Sequence, residues 1–244
     1  MRSSDETRES PPGKLVDIGG YQLHVNCTGK GSPTVILDAG FGCDSTAWLT
    51  VQPEIAKFAR VCSYDRAGLG WSDPGPKPRT SQQIVKELHT LLAKADIRSP
   101  YVLVGHSFGG YNVRLYAGHY PDEVVGMVLV DANHHHQEKY ATRDPKEDEE
   151  ANRNPEGIRI PEDFYESANL VRKSGALPDI PLIVLAAGRD RPEWWMELQK
   201  DLPNIAPKGR YILAEKSGHW IQKDQPELVI EAIRHVVEEV RRFG

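Results

Sequence analysis

The chain has 244 residues, 39% of them hydrophobic, enough to bury the core of a single α/β domain. Its 30 basic and 35 acidic residues leave a net charge of −5 with no long basic block, which argues against a nucleic-acid partner. No stretch approaches the roughly 20 apolar residues of a membrane span, so no transmembrane helix is expected.

Residues 1–13 are polar, carry Pro11-Pro12-Gly13, lack the apolar segment of a signal peptide, and read as a disordered lead-in. Residues 14–18 and 21–26 flank Gly19-Gly20 and predict a strand hairpin. Residues 33–38 form a third strand, apolar throughout as in a sheet covered on both faces. Residues 46–59 show helical spacing, and 60–64 read as a fourth strand. The proline-rich loop 72–79 leads to an amphipathic helix over 81–95, with Ile84, Leu88, Leu91 and Leu92 on one face. A fifth strand begins at Tyr101, and a helix over 108–120 stops at Pro121. Further strands are expected at 124–130, 181–187 and 210–214. A last helix over about 225–242 presents Leu228, Ile230, Ile233 and Val237.

Strands alternating with helices predict an α/β chain with a mostly parallel sheet and helices on both faces. Residues 132–179 break the rhythm, since they are too long for a plain helical crossover. Their first part is acidic and polar, and 161–173 is weakly helical. We read the stretch as a small lid or cap over the site, set between core segments 14–131 and 180–244.

The chemistry centres on Gly105-His106-Ser107-Phe108-Gly109, which joins the fifth strand to the following helix. A Gly-x-Ser-x-Gly run in that context is a nucleophile elbow, a sharp turn that lifts the serine Oγ above the sheet. Serine at its free pKa is a weak nucleophile and needs a base, itself oriented by an acid. His219, in Ser217-Gly218-His219 after the eighth strand, is the best-placed base. His134, His135 and His136 sit together in a loop, but their spacing does not define a metal site, and no metal is expected. Two carboxylates suit the acid. Asp190 follows the seventh strand and is the preferred choice, while Asp131 follows the sixth and is the alternative. Both preserve the serine–acid–histidine order. An oxyanion hole needs two backbone donors, for which the Phe108 and Phe41 N–H groups are the candidates. The rings of Phe41 and Phe108, with Trp48 or Trp220, are candidate walls for an acyl pocket.

Asp38-Ala39-Gly40-Phe41-Gly42, Tyr64 to Ser72, Val104 to Gly110, Leu129-Val130-Asp131 and Ser217-Gly218-His219 together resemble the α/β-hydrolase superfamily, as does the run from Asp224 to Ile230. The resemblance covers about residues 14–242. It implies an α/β-hydrolase fold with an eight-stranded sheet, a serine nucleophile, no cofactor, and a small-molecule ester substrate. Many members carry His-Gly where this chain has Ala39-Gly40. The common Gly-x-x-Asp acid loop is one residue shorter here, at Gly188-Arg189-Asp190, which keeps Asp131 open. The lid is short beside those of many relatives and implies an accessible site.

In such a fold the second and fourth strands are antiparallel neighbours, which brings Cys27 towards Cys62. A disulfide there would imply a secreted or periplasmic protein, whereas two buried thiols would leave a cytoplasmic one by default. The functional expectation is a carboxylesterase acting on small to medium esters. An amidase or aminopeptidase, a lactone hydrolase, and a hydrolase-like receptor for a small ligand are the alternatives. Serine rather than aspartate at the elbow argues against dehalogenase or epoxide hydrolase chemistry.

Overall fold

The computed structural model describes residues 10–140 and 144–243; residues 1–9 of the expected lead-in lie outside this range. Eight strands form one sheet: β1 (Lys14–Asp17), β2 (Gln22–Thr28), β3 (Thr34–Asp38), β4 (Arg60–Tyr64), β5 (Tyr101–His106), β6 (Val124–Val130), β7 (Pro181–Ala187) and β8 (Lys208–Ala214). Their order across the sheet is β1-β2-β4-β3-β5-β6-β7-β8. β2 runs antiparallel to both β1 and β4, and every other neighbouring pair is parallel. The C-terminal ends of β3 to β8 therefore share one edge, where an open α/β sheet places its ligand site. β5 lies between β3 and β6, so the loops after these three strands are immediate neighbours.

The strands read as continuously apolar because both faces are covered. Along β5, Leu103 joins one core cluster, while Val102 and Val104 join the other. Met127 and Leu129 of β6 alternate with Val128 and Val130 in the same way, following the two-residue period of a strand. Helix α2 (Ser81–Lys94) and helix α3 (Gly109–His119) close the first face. Helix α8 (Pro226–Phe243) closes the second with Val229, Ala232, Ile233, Val236 and Val237. That helical set is rotated from the expected one, and Leu228 and Ile230 lie at the edge of the contact.

Two local expectations change. Residues 46–59 form a 3-10 turn (Ser45–Trp48) followed by a single α-turn, α1 (Gln52–Ile55), instead of one helix. Pro53 explains the break, since inside a longer helix it would remove a hydrogen bond and clash with the preceding turn. The connection from β7 to β8 contains an unforeseen helix, α6 (Glu193–Asp201), with Trp195, Leu198 and Gln199 buried. Within 132–179 the chain forms α4 (Pro145–Ala151) and α5 (Glu162–Lys173). Asp144 caps α4 by accepting from the Lys146 N–H at 2.8 Å, satisfying one of the free donors at the helix start. A one-turn helix, α7 (Ile221–Asp224), precedes α8. Among the described residues no helix is long and apolar enough to cross a membrane.

Cys27 and Cys62 are directly opposed across the antiparallel β2–β4 pair and form a disulfide, with Cα atoms 4.0 Å apart. Cys43 is free. Thiol titration of the denatured chain should find one reactive group before reduction and three after it. The bridge closes a sequence separation of 35 residues, so reduction should lower unfolding stability by about 2–4 kcal/mol in denaturant titrations.

Candidate active site

Ser107 follows the last residue of β5 and has φ +51°, the left-handed region that non-glycine residues avoid. Its neighbours hold it there. The Ser107 N–H donates to the Val130 carbonyl at 3.1 Å, and the Ser107 carbonyl accepts from Gly110 and Asn133, each at 3.0 Å. Helix α3 starts directly after it. A Cβ at Gly109 would stand 2.5 Å from the Asp38 carbonyl oxygen and 2.7 Å from that of Ala39, so only glycine lets α3 press onto the end of β3. The loop after β3 consequently lies against Ser107, and a side chain at Gly40 would come within 3.3 Å of Ser107 Cβ. Among the described residues, neither the Phe41 nor the Phe108 backbone N–H has a hydrogen-bond partner.

His219 lies in the loop after β8. Its Nδ1 is 2.6 Å from Asp131 Oδ2, and its backbone carbonyl accepts from His106 Nε2 at 2.9 Å. The histidine loop is thus tied to the residue that precedes Ser107. His106 is fully buried and packs against the rings of His219 and Trp220, with centroids 4.6 and 4.9 Å away. Burial, helped by the neighbouring His219, lowers its pKa to about 3, so this imidazole is neutral.

The structure therefore brings Asp131, and not the preferred Asp190, to the histidine. Asp131 directly follows β6, is buried, and has φ +39°. Its Oδ1 accepts from the Ala187 N–H at 3.1 Å and from Trp195 Nε1 at 2.9 Å. Its Oδ2 accepts from Arg191 Nε at 2.8 Å as well as from His219. Burial pushes the carboxyl pKa up. The His219 hydrogen bond, the Arg191 charge and the Trp195 N–H together outweigh burial and hold it below the ordinary carboxylate value. Asp190 is exposed, beside Gly218, where its Oδ2 would be 3.9 Å from an added Cβ. The turn directs the adjacent Arg191 inward, onto Asp131 and His219 Nδ1 and over the Trp195 ring at 4.3 Å.

Nothing in the sequence singled out Arg191, Trp195 or Asn133 for this site. Asn133 accepts a long hydrogen bond from Ser107 Oγ, at 3.4 Å. Only the two-residue offset of Asn133 from Asp131 could have suggested it. Ser107 itself is 8% exposed, a more covered position than a short lid implied. The Gly40 loop and Asn133 crowd it, and Phe164 of α5 packs over the neighbouring Phe108 ring, with centroids 5.2 Å apart. Phe108 and Trp48 are buried in the two opposite core clusters, so neither ring walls an open pocket.

The three consecutive histidines serve packing and hydrogen bonding. His134 Nε2 pairs with Asp201 at 3.1 Å, and Arg114 donates to His135 Nδ1 at 3.0 Å. Among the described residues no group of His, Cys, Asp and Glu is arranged to hold a metal.

A profile of the alpha/beta hydrolase fold family matches residues 33–156. The chain is also 30% identical over 233 residues to the uncharacterized protein YqjL of Bacillus subtilis (strain 168), covering 91% of each. The chain belongs to the α/β-hydrolase superfamily. Solved structures agree on the fold. A thermophilic esterase from Thermogutta terrifontis superposes with a TM-score of 0.69 at 21% identity, over 95% of this chain and 99% of the other. A meta-cleavage product hydrolase from Pseudomonas fluorescens IP01 gives 0.66 at 20% identity, over 92% and 98%. At these identities the likeness is one of architecture, and this α/β-hydrolase's own side chains must carry the chemistry.

The buried neutral His106 makes stability depend on pH. In the unfolded chain this group protonates near pH 6.5, whereas in the folded chain it does so near 3. Its contribution is complete above about pH 6.5 and is lost as pH falls towards 3, by up to about 1.4 kcal/mol per pH unit. Urea titrations between pH 7 and 4 should show this decline, and His106→Asn should flatten it by about one proton.

Proposed function

We propose that this α/β-hydrolase is a serine carboxylesterase that cleaves small to medium esters through an acyl-enzyme on Ser107. The observation that carries the reading is the 2.6 Å Asp131–His219 contact in the loops flanking a serine held at φ +51°. Asp131 fixes the imidazole with its Nδ1 proton directed at the carboxylate, which leaves Nε2 free to accept a proton. Ser107 Oγ attacks the ester carbonyl as His219 takes its proton. The oxyanion binds the Phe41 and Phe108 N–H groups, two donors with no other partner among the described residues. His219 then returns the proton to the leaving alcohol. Water, activated by the same imidazole, releases the carboxylic acid.

The residues at the site need no metal or organic cofactor for these steps. Serine at the elbow, where an alkyl-enzyme mechanism uses a carboxylate, supports acyl transfer. The Cys27–Cys62 bridge favours an oxidising compartment over the cytoplasm.

Hydrolysis of p-nitrophenyl esters of increasing acyl length tests the reading. Ser107→Ala should lower kcat by about 10⁴- to 10⁶-fold, and the chain-length profile should peak among short and medium acyl groups. A wild-type rate no greater than that of the variant would overturn the assignment. Asp131→Asn should cost about 10²- to 10⁴-fold in kcat. Asp190→Asn, a change at an exposed side chain, should stay within about twofold. The reverse ranking would return the acid to Asp190.

A further inference from the structure

Behind the loop 39–42 lies a buried polar cluster that the catalytic scheme above does not use. Arg66 follows β4 and is fully enclosed. Its Nη1 donates to Asp38 Oδ1 at 2.8 Å and to the Ala39 carbonyl at 2.6 Å. Its Nη2 donates to the Gly40 carbonyl at 2.6 Å. The rest of the guanidinium faces Glu156, with Nε to Oε1 at 2.6 Å and Nη2 to Oε2 at 3.0 Å. Glu156 Oε2 also accepts the Gly42 N–H directly, at 2.9 Å.

Glu156 does not come from the sheet. It lies in the 132–179 segment and is nevertheless only 3% exposed. A tight turn presents it: Asn154 Nδ2 donates to the Ala151 and Ile158 carbonyls at 2.7 and 2.8 Å, and Asn154 Oδ1 accepts from the Ile158 N–H. The turn is pressed onto the loop after β4, where a Cβ at Gly68 would stand 2.3 Å from the Pro155 carbonyl oxygen.

The consequence follows from peptide geometry. The Gly40 carbonyl and the Phe41 N–H belong to one planar trans peptide and point in opposite directions. A clamp on the Gly40 oxygen therefore aims the Phe41 N–H. Arg66 is that clamp, together with the Cys43 N–H, which donates to the same oxygen at 3.1 Å, and Glu156 orients the guanidinium in a two-point pairing while holding the far side of the same turn at Gly42. Arg66 alone, with Glu156 withdrawn, would keep its bonds to the loop carbonyls but lose the partner that fixes its plane.

We propose that Glu156 is a positioning residue through which the lid segment sets the orientation of the Phe41 N–H, so that the oxyanion hole is complete only when residues 154–158 are seated on the core. The catalytic half of this inference rests on the oxyanion role given to Phe41 above. The structural half, that Glu156 orders the loop, does not.

The test compares wild type with Glu156→Gln, Glu156→Asp and the surface control Glu54→Gln in two measurements on the full chain. The first is amide hydrogen exchange of the peptide spanning residues 38–44. The second is kcat and KM for a p-nitrophenyl ester. Glu156→Gln should speed exchange in 38–44 by about tenfold or more, with the other core peptides unchanged. It should lower kcat by about 10- to 100-fold while KM moves less than about threefold. Glu156→Asp keeps the charge and should recover part of the lost kcat. Should Glu156→Gln fail to fold, the same comparison is made with Glu156→Asp. Exchange and kcat both within about twofold of wild type would overturn the proposal, as would faster exchange with unchanged kcat or a loss carried by KM alone. If wild type itself hydrolyses no ester, the esterase reading fails, and the exchange result alone decides whether Glu156 holds the loop.

Discussion

The close approach of helix α3 to the end of β3 is the constraint on which the site depends. Gly109 touches the Asp38 and Ala39 carbonyls at distances no side chain would allow. That contact brings two chain segments far apart in sequence, the elbow and the loop 39–42, within reach of one reacting atom. The strained φ of Ser107 is affordable because hydrogen bonds to Val130, Gly110 and Asn133 surround it and leave the backbone no alternative. Strand order does the rest. Since β5 is flanked by β3 and β6, the two adjacent loops bring the backbone of residues 39–42 and Asp131 beside Ser107 without any long excursion.

Asp131 and Asp190 illustrate how little a strand-end position says about a side chain's direction. Asp131 and Asp190 both follow strands at the same edge of the sheet, and both have positive φ. Asp131 continues the β6 ladder, with its N–H bonded to the Leu185 carbonyl at 2.7 Å, so its carboxylate turns beneath the β7 loop into a set of waiting donors. Asp190 sits farther along an exposed turn, and Arg191 takes the inward direction. A carboxylate removed from water must be satisfied by hydrogen bonds or opposite charge, and only the Asp131 position offers His219, Arg191, Trp195 and a backbone N–H together.

The cluster of Asp38, Arg66 and Glu156 carries the same logic into residues 132–179. Burial pulls the Arg66 pKa down, but the two carboxylates outweigh it and keep the guanidinium charged. Removing one partner from such a pair strands a charge in the interior, at a cost of about 3–5 kcal/mol. The 132–179 segment, which supplies one of the two carboxylates, is therefore bound to the core energetically as well as sterically. Phe164 of the same segment adds an apolar contact with Phe108 beside Ser107.

Local chemistry was enough to read the strands and the elbow. The continuous apolar runs of β3, β5 and β6 reflect a sheet covered on both faces, and Gly105 and Gly109 around Ser107 announce a turn that a Cβ would block. The register of α8 and the break at Pro53 were less legible, because each depends on which neighbours compete for the same face. Helix α6 was not legible, because it is short and its buried face, Trp195, Leu198 and Gln199, mixes apolar with polar residues. Nothing near Glu156 in the sequence connects it to Arg66, 90 positions away. The sequence by itself determined the fold class and singled out Ser107 and His219, since these rest on periodicity and on short-range backbone sterics. Tertiary structure alone put Asp131, and not Asp190, against His219 and brought Arg191, Asn133 and Glu156 to their partners. Those choices depend on where unsatisfied buried donors and charges lie in space, and that is fixed only when distant segments pack.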